Sequence, residues 1–517
     1  MIKNYKWLFL VALTLTACSS DDDPVADANS SDGLPLTAGT ANFSKFVALG
    51  NSLTAGFSDN ALFIEGQKGS YPNLMAQKFA LVGGGEFKVP YMNDNVGGLL
   101  LGGTPIQGTR LFFNGMAPVN VSGVPSTEVT NVLTGPFNNM GVPGAKSFHL
   151  LANGYGNAAG VLSGQANPYY VRFASSPSAN LLADAVAQSP TFFSLWIGNN
   201  DVLAYATSGG SGVNQTGNLN PATYGSNDIT DPTVFNSVYT TLVDGLTTSG
   251  AKGVVANIPD VTAVPFFTTV PTNPIPGLPA ASAGQLNLLF GAVNQITTAI
   301  GQPNRFQTLV ADDGNASTVE NNPLLIQDES LVDLSAAITN ALTPVLGPTT
   351  ATFVGGLYGR ARHARNTTGS RDFILLSARG VIGTTSTSAP APFNTVGVSF
   401  PMQDNTTLTA AEAAEVKTAT TAFNNSIAAI ASSKGLAFVD ANTLLNQVAT
   451  TGISRDGFTV RSTYVTGGGF SLDGVHPSPR GYGLIANEFL KAINTTYGSN
   501  FKGYNLGDFR ILFPASL

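Results

Sequence analysis

Two short apolar runs constrain this chain more than any other feature. Lys45 to Leu49 reads KFVAL, Phe192 to Ile197 reads FFSLWI, and each runs directly into a glycine, Gly50 or Gly198. Runs apolar on both sides of the pleat suit strands buried between two layers of helix, the situation of a parallel sheet. Helical patterns fill the spaces between such runs. Asp231-Pro232 opens one that carries Val234, Val238, Leu242 and Leu246 on a single stripe and closes at Gly250, with a strand expected over Gly253 to Asn257. Thr409 and Glu412 form a capping box ahead of Val416, Phe423, Ile427 and Ile430, which point inward until Gly435; Leu436 to Asp440 is the next expected strand. Ser478 caps a last helix with Pro479 at its first position and Ile485, Phe489 and Ile493 along one face. This alternation predicts an α/β fold with a central parallel sheet covered on both faces.

The best chemical candidates lie near residues 50 and 475, so a fold that joins them closes on itself; one domain over 41–517 is expected. Segments at about 58–130, 151–180, 205–230 and 265–400 are rich in Gly, Pro, Ser, Thr and Asn and read as long loop insertions, functional or partly disordered.

The opening MIKNYKWLFLVALTLTAC sets Lys3 and Lys6 before an apolar run from Trp7 to Leu15, too short for a permanent membrane helix, and predicts a signal peptide over 1–17. Leu15-Thr16-Ala17-Cys18 resembles the bacterial lipobox and predicts acylation of Cys18, the chain's only cysteine, which rules out a disulfide within one chain. Residues 18–40 are acidic, polar and poor in bulky apolar groups, and are expected to form a flexible tether. Acidic residues directly behind the cysteine resemble the export tag of surface lipoproteins, which places the protein at the outer membrane or cell surface of a Gram-negative bacterium; inner-leaflet attachment is the competing reading. Charged residues make up 11% of the chain against about 25% in an average domain. With a formal charge of -7 and no basic face, nucleic acid is excluded as a partner.

Acyl transfer by serine needs a hydroxyl on a tight turn, a histidine to take its proton, a group to orient that histidine, and donors for the oxyanion. Ser52, in Gly50-Asn51-Ser52-Leu53-Thr54 after an expected strand, supplies the first. Asp473-Gly474-Val475-His476-Pro477 brings a carboxylate and an imidazole within three residues of each other, ahead of a helix. The other two histidines read as structural: His149 on a helix face, and His363 inside Arg360-Ala-Arg-His-Ala-Arg, a solvated basic stretch.

These blocks resemble the SGNH, or GDSL, hydrolase superfamily. Ser52 in GNSLT matches its first block, Gly144 in Asn139-Met-Gly-Val-Pro-Gly144-Ala its second, Asn200 in Gly198-Asn-Asn200-Asp201 its third, and Asp473 with His476 its last; Ile258-Pro259-Asp260-Val261 resembles a further family segment. The resemblance implies a flavodoxin-like three-layer α/β/α sandwich with long loop insertions and no metal or other cofactor. It implies a Ser52-His476-Asp473 triad and an oxyanion hole made by the Ser52 and Gly144 amides with the Asn200 side chain. The implied activity is carboxylic ester hydrolysis at the cell envelope, on an acyl lipid or an acylated glycan, with the membrane reached through Cys18. Asn51 replaces the Asp of the family's namesake motif. The alternative is a surface glycan-binding lipoprotein that kept the fold without the chemistry. Pro265-Phe266-Phe267 and Leu62-Phe63-Ile64 suit either an acyl pocket or plain core.

Overall fold

In the computed structural model, which describes residues 27–315 and 317–517, the expected sheet is present. Its strands are β1 (Phe46–Gly50), β2 (Asn139–Gly141), β3 (Phe192–Trp196), β4 (Lys252–Ala256) and β5 (Ala437–Val439). They lie side by side in the order β2-β1-β3-β4-β5, and every neighbouring pair is parallel. The winding direction reverses once, between β1 and β3, and sheets of this order open a crevice beyond the carboxyl ends of those two strands.

Ten helices matter below: α1 (Ser52–Ala55), α2 (Tyr71–Ala80), α3 (Asn200–Thr207), α4 (Pro232–Thr247), α5 (Ala280–Ala299), α6 (Ser335–Leu346), α7 (Pro348–Tyr358), α8 (Ala410–Ser433), α9 (Ala441–Thr450) and α10 (Pro479–Tyr497). The pleat sends Val47, Leu49, Phe193, Leu195 and Val255 to one face of the sheet, where Phe235 and Tyr239 of α4 and Phe423 and Ile427 of α8 cover them. Phe46, Ala48, Phe192, Trp196 and Val254 point the other way, under Tyr71 and Phe79 of α2 and Phe489 and Ile493 of α10. Two covered faces explain why β1 and β3 are apolar at successive positions rather than alternate ones.

The helix starts follow the capping chemistry. Asp231 accepts from the amides of Thr233 and Val234 at 2.8 and 2.9 Å. Thr409 and Glu412 cap each other, the Thr409 amide donating to Glu412 Oε2 at 2.7 Å and the Glu412 amide to Thr409 Oγ1 at 3.4 Å. Ser478 Oγ accepts from Gly481 N at 3.0 Å. β2 has no counterpart in the sequence reading, because three residues that include Asn139 carry no apolar run; Asn139 sits there because its side chain donates to the Thr54 carbonyl at 2.9 Å.

Three expectations need correction. The segment at about 58–130 is not all loop, because it contains α2, whose Tyr71 and Phe79 cover one face of the sheet. Of the tether expected over 18–40, residues 18–26 lie outside the described residues along with the signal segment and Cys18. Residues 27–40 are instead joined to the chain's other end: Ser31 N donates to the Asn500 carbonyl at 2.8 Å, Thr37 N to Asn500 Oδ1 at 2.8 Å, and Thr40 N to the Tyr497 carbonyl at 2.8 Å. The 265–400 segment is a built unit rather than a loop. It contains α5, α6, α7 and an antiparallel strand pair, Leu325–Gln327 with Ala361–His363, around a core of Phe290, Val293, Phe306, Ile338, Val354 and Tyr358. Pro265-Phe266-Phe267 and Leu62-Phe63-Ile64 prove to be core at Phe267, Leu62 and Phe63. No helix among the described residues is long and apolar enough to cross a membrane.

Candidate active site

β1 delivers Ser52 to the crevice. Gly50 ends the strand where a Cβ would collide with Thr54 and with the Trp196 carbonyl of β3, so only glycine lets β1, β3 and α1 approach this closely. Asn51 caps α1, its Oδ1 accepting from Leu53 N at 3.0 Å, and its amide nitrogen donates to Asn199 Oδ1 at 3.1 Å. Asn51 thus caps the short helix that begins at Ser52, and it also ties that turn to the loop after β3.

Ser52 and His476 are 424 positions apart in sequence, yet Ser52 Oγ lies 2.9 Å from His476 Nε2. His476 Nδ1 lies 2.9 Å from Asp473 Oδ2. An ionised carboxylate only accepts hydrogen bonds, so the imidazole carries its hydrogen on Nδ1 and leaves Nε2 to accept from the serine hydroxyl. Burial raises the Asp473 carboxyl, but attraction to the imidazole whenever it is protonated, the hydrogen bond from its ring and the His476 and Val475 amides outweigh this, so the carboxyl is held at about 2. The acid therefore stays ionised across the whole working range. The Phe57 ring packs against the imidazole with ring centroids 4.6 Å apart.

One element of this arrangement was absent from the sequence reading. Ser58 and Ala61 exchange backbone hydrogen bonds around Asp59 and Asn60, both at positive φ, 51° and 64°. A tight turn of this kind needs two residues tolerant of the left-handed region, a role that Asp and Asn fill. The Asn60 amide donates to Asp473 Oδ2 at 2.9 Å, Asp59 Oδ1 accepts from Leu472 N at 2.9 Å, and Asp59 N donates to Ser471 Oγ at 3.0 Å. Burial pushes the Asp59 carboxyl up to about 7; the Leu472 amide opposes the rise and the Asp473 charge adds to it. The Asp-Asn dipeptide that starts seven residues after Ser52 was a visible signal, read only as the edge of an insertion.

The oxyanion candidates follow three neighbouring strands, Ser52 after β1, Gly144 after β2 and Asn200 after β3. Gly144 follows β2 at φ 82°, a conformation that side chains disfavour, and its turn is held by Asn167, whose amide donates to the Pro143 carbonyl at 2.8 Å. Asn200, the first residue of α3, donates to the Ala145 carbonyl at 2.9 Å, and its neighbour Asp201 accepts from Ser147 N and Oγ at 2.8 and 2.7 Å. These bonds fasten α3 to the Gly144 loop. One hydrogen of the Asn200 amide is engaged by the Ala145 carbonyl, and the second has no protein acceptor among the described residues. Neither the Ser52 amide nor the Gly144 amide donates to a protein acceptor among the described residues.

The remaining histidines are structural. His149 lies in a short 3-10 turn, accepts from Lys146 N at 3.0 Å on Nδ1 and stacks on Tyr155; burial holds it at about 4. His363 corrects the expectation of a solvated basic stretch. Arg362 and His363 are each 2% exposed. Arg362 bonds Asp328 at 2.6 Å and grips Asp372 with two nitrogens at 2.6 and 2.9 Å. His363, pushed down to about 4 by burial, accepts from Gln307 N at 2.8 Å.

A cavity beside Ser52 is bordered by Ser52, His476 and Asn200. Comparison of the chain with family models, curated proteins and solved structures found no match.

Proposed function

We propose that this protein is a serine hydrolase of the SGNH type that cleaves carboxylic esters. The observation that carries the reading is the unbroken Ser52-His476-Asp473 hydrogen-bond chain, assembled from distant parts of the sequence beside two unengaged backbone amides. On this reading Ser52 Oγ attacks the ester carbonyl while His476 Nε2 takes its proton. The carbonyl oxygen, now an anion, is held by the Ser52 and Gly144 amides and the Asn200 side chain. As the intermediate collapses, the ester C–O bond breaks and His476 returns the proton to the departing alkoxide, leaving an acyl group on Ser52. Water then attacks with the same proton relay and releases the carboxylic acid. Asp473 keeps the imidazole in one tautomer and supports its transient charge.

The rival reading, a glycan-binding protein on the same fold, draws no support from the cavity beside Ser52, whose wall offers few hydrogen-bonding groups. We further propose that Cys18 carries the lipid anchor that holds the enzyme at the cell envelope, so that Cys18→Ala releases it into the soluble fraction; a variant that still sediments with membranes refutes the anchor.

The deciding experiment for the chemistry is labelling with a fluorophosphonate, which reacts with activated serines, alongside hydrolysis of p-nitrophenyl acetate. Labelling at Ser52 and turnover that both vanish in Ser52→Ala are expected. A wild-type protein that neither labels nor turns over refutes the proposal.

A further inference from the structure

The cavity beside Ser52 has a chemistry that narrows the substrate. Beyond Ser52, His476 and Asn200, its wall includes Leu445 and Val448 of α9, Leu484 of α10, Leu203 of α3, Val264 and Val460, with no charged side chain. Asn51 and Asn199 also border it; the Asn51 amide nitrogen donates to Asn199 Oδ1 at 3.1 Å and Asn51 Oδ1 accepts from Leu53 N, which leaves the Asn199 amide nitrogen as the one further side-chain donor on this wall. A sugar or glycerol placed here would leave most of its hydroxyls without partners, which is unfavourable for each buried group. An alkyl chain would bury methylenes at no such cost. A larger polar groove lies elsewhere, bordered by Asp260, Arg371, Arg379 and Tyr464, but neither Ser52 nor His476 reaches it.

Resting on the ester-hydrolase reading, we infer that this cavity seats the acyl half of the substrate, and that this half is an unbranched hydrocarbon chain rather than acetate. The chain enters past Ser52 and runs between α9 and the start of α10, where Leu445, Val448 and Leu484 meet it. Those three positions set the length that is accepted. They are buried at 3–8% exposure and belong to the main core, so the wall is rigid and the cavity is a built feature of the fold rather than a surface dent. A packed wall discriminates by length, because a chain that outgrows the space must displace core side chains.

The test uses the purified full chain and two ester series. In the first, p-nitrophenyl esters run from acetate to decanoate; in the second, acetate is esterified to alkanols of matching length. Each buried methylene contributes up to about fourfold, equivalent to ~0.8 kcal/mol. kcat/KM is therefore expected to rise by on the order of 10²-fold from acetate to hexanoate in the acyl series and to change little in the alkanol series. A flat acyl series, or a rise confined to the alkanol series, overturns the inference while leaving the hydrolase reading intact. Absence of turnover on every ester, including acetate, is the separate failure of the hydrolase reading.

Two variants sharpen the result. Leu445→Trp, which fills the cavity, is expected to lower the decanoate-to-butyrate ratio of kcat/KM at least tenfold; an unchanged ratio in a folded variant contradicts the placement of the chain. Should that variant fail to fold, Ser52→Ala provides a reading free of catalysis. Decanoate is expected to raise its melting temperature where acetate at the same concentration does not, and equal responses to the two acids refute the pocket.

Discussion

The sheet with its crevice and the 265–400 unit are held together in different ways. Around the sheet, stability resides in apolar faces that alternate along β1 and β3 and repeat along α4, α8 and α10, and every such face carries its own period. In the 265–400 unit, a buried ionic knot joins parts that no local pattern relates. Arg362 holds Asp328 and Asp372, while Asp372 also accepts from Arg365 N at 2.7 Å and Ala410 N at 3.0 Å, reaching the first turn of α8. Arg305 donates to the Gly359 and Val332 carbonyls at 2.7 and 2.6 Å. Periodic burial is written residue by residue, whereas a buried charge is tolerated only because of partners supplied from elsewhere. The first is legible before folding and the second is not.

Substitutions should separate the two regions. In the crevice, His476→Ala is expected to lower kcat by about 10⁴ to 10⁶ with the melting temperature nearly unmoved, since it removes the proton relay and little packing. Steady-state kinetics and a thermal melt on the same preparation check this, and a substantial loss of stability would place His476 with the scaffold. In the 265–400 unit the expectation reverses. Arg362→Leu leaves Asp328 and Asp372 buried without their cation and should cost about 3–5 kcal/mol in denaturant unfolding, while turnover per folded molecule persists. A mild cost would mean the knot is dispensable, and the contrast between the regions would fall.

Asn200→Ala tests the boundary between them, because the residue has both a scaffold bond to Ala145 and a proposed role toward the oxyanion. Loss of a transition-state donor lowers kcat by about 10² to 10³ at nearly constant KM, whereas loss of a turn bond alone lowers stability by about 1–3 kcal/mol. The expected outcome is the kinetic one; a destabilised but fully active variant refutes the donor role.

Asp59→Asn should have the smallest effect near pH 4 and a distinctive pH dependence above it. The folded state holds the Asp59 proton up to about 7 while the unfolded chain releases it near 3.8. The folded state therefore binds more protons between those values, and this carboxyl costs stability progressively as pH rises from about 4 to 7. Asparagine removes that cost, so the variant's stability relative to the parent should climb across the same window, by on the order of a few kcal/mol at its upper end. Urea melts at pH 4 and pH 8 measure it, and an equal gap at both values refutes the assignment.

Much of the crevice was open to reading before any fold was known. Ser52 after a buried run, and Asp473 three residues from His476, are local patterns whose chemistry needs no partner to be recognised. The Thr409–Glu412 box and the Ser478 cap likewise state their own helix starts. Asn139-Met140-Gly141 was not readable as a strand, because its hydrogen-bond partners on β1 are some 90 positions away. The turn at Asp59 and Asn60 was visible as a turn but not as a support for Asp473, 413 positions distant.

The amino-acid sequence by itself determined which residue types could do acyl chemistry, the α/β alternation, and the apolar character of the strands, since each rests on neighbours within a few positions. Only the tertiary structure decided that Ser52 and His476 meet, that Arg362 and His363 are buried, that residues 27–40 join the C-terminal segment, and that the space beside Ser52 is an apolar slot. Each of these depends on contacts between residues tens to hundreds of positions apart, and a cavity is a property of no residue singly but of the packing that fails to fill it.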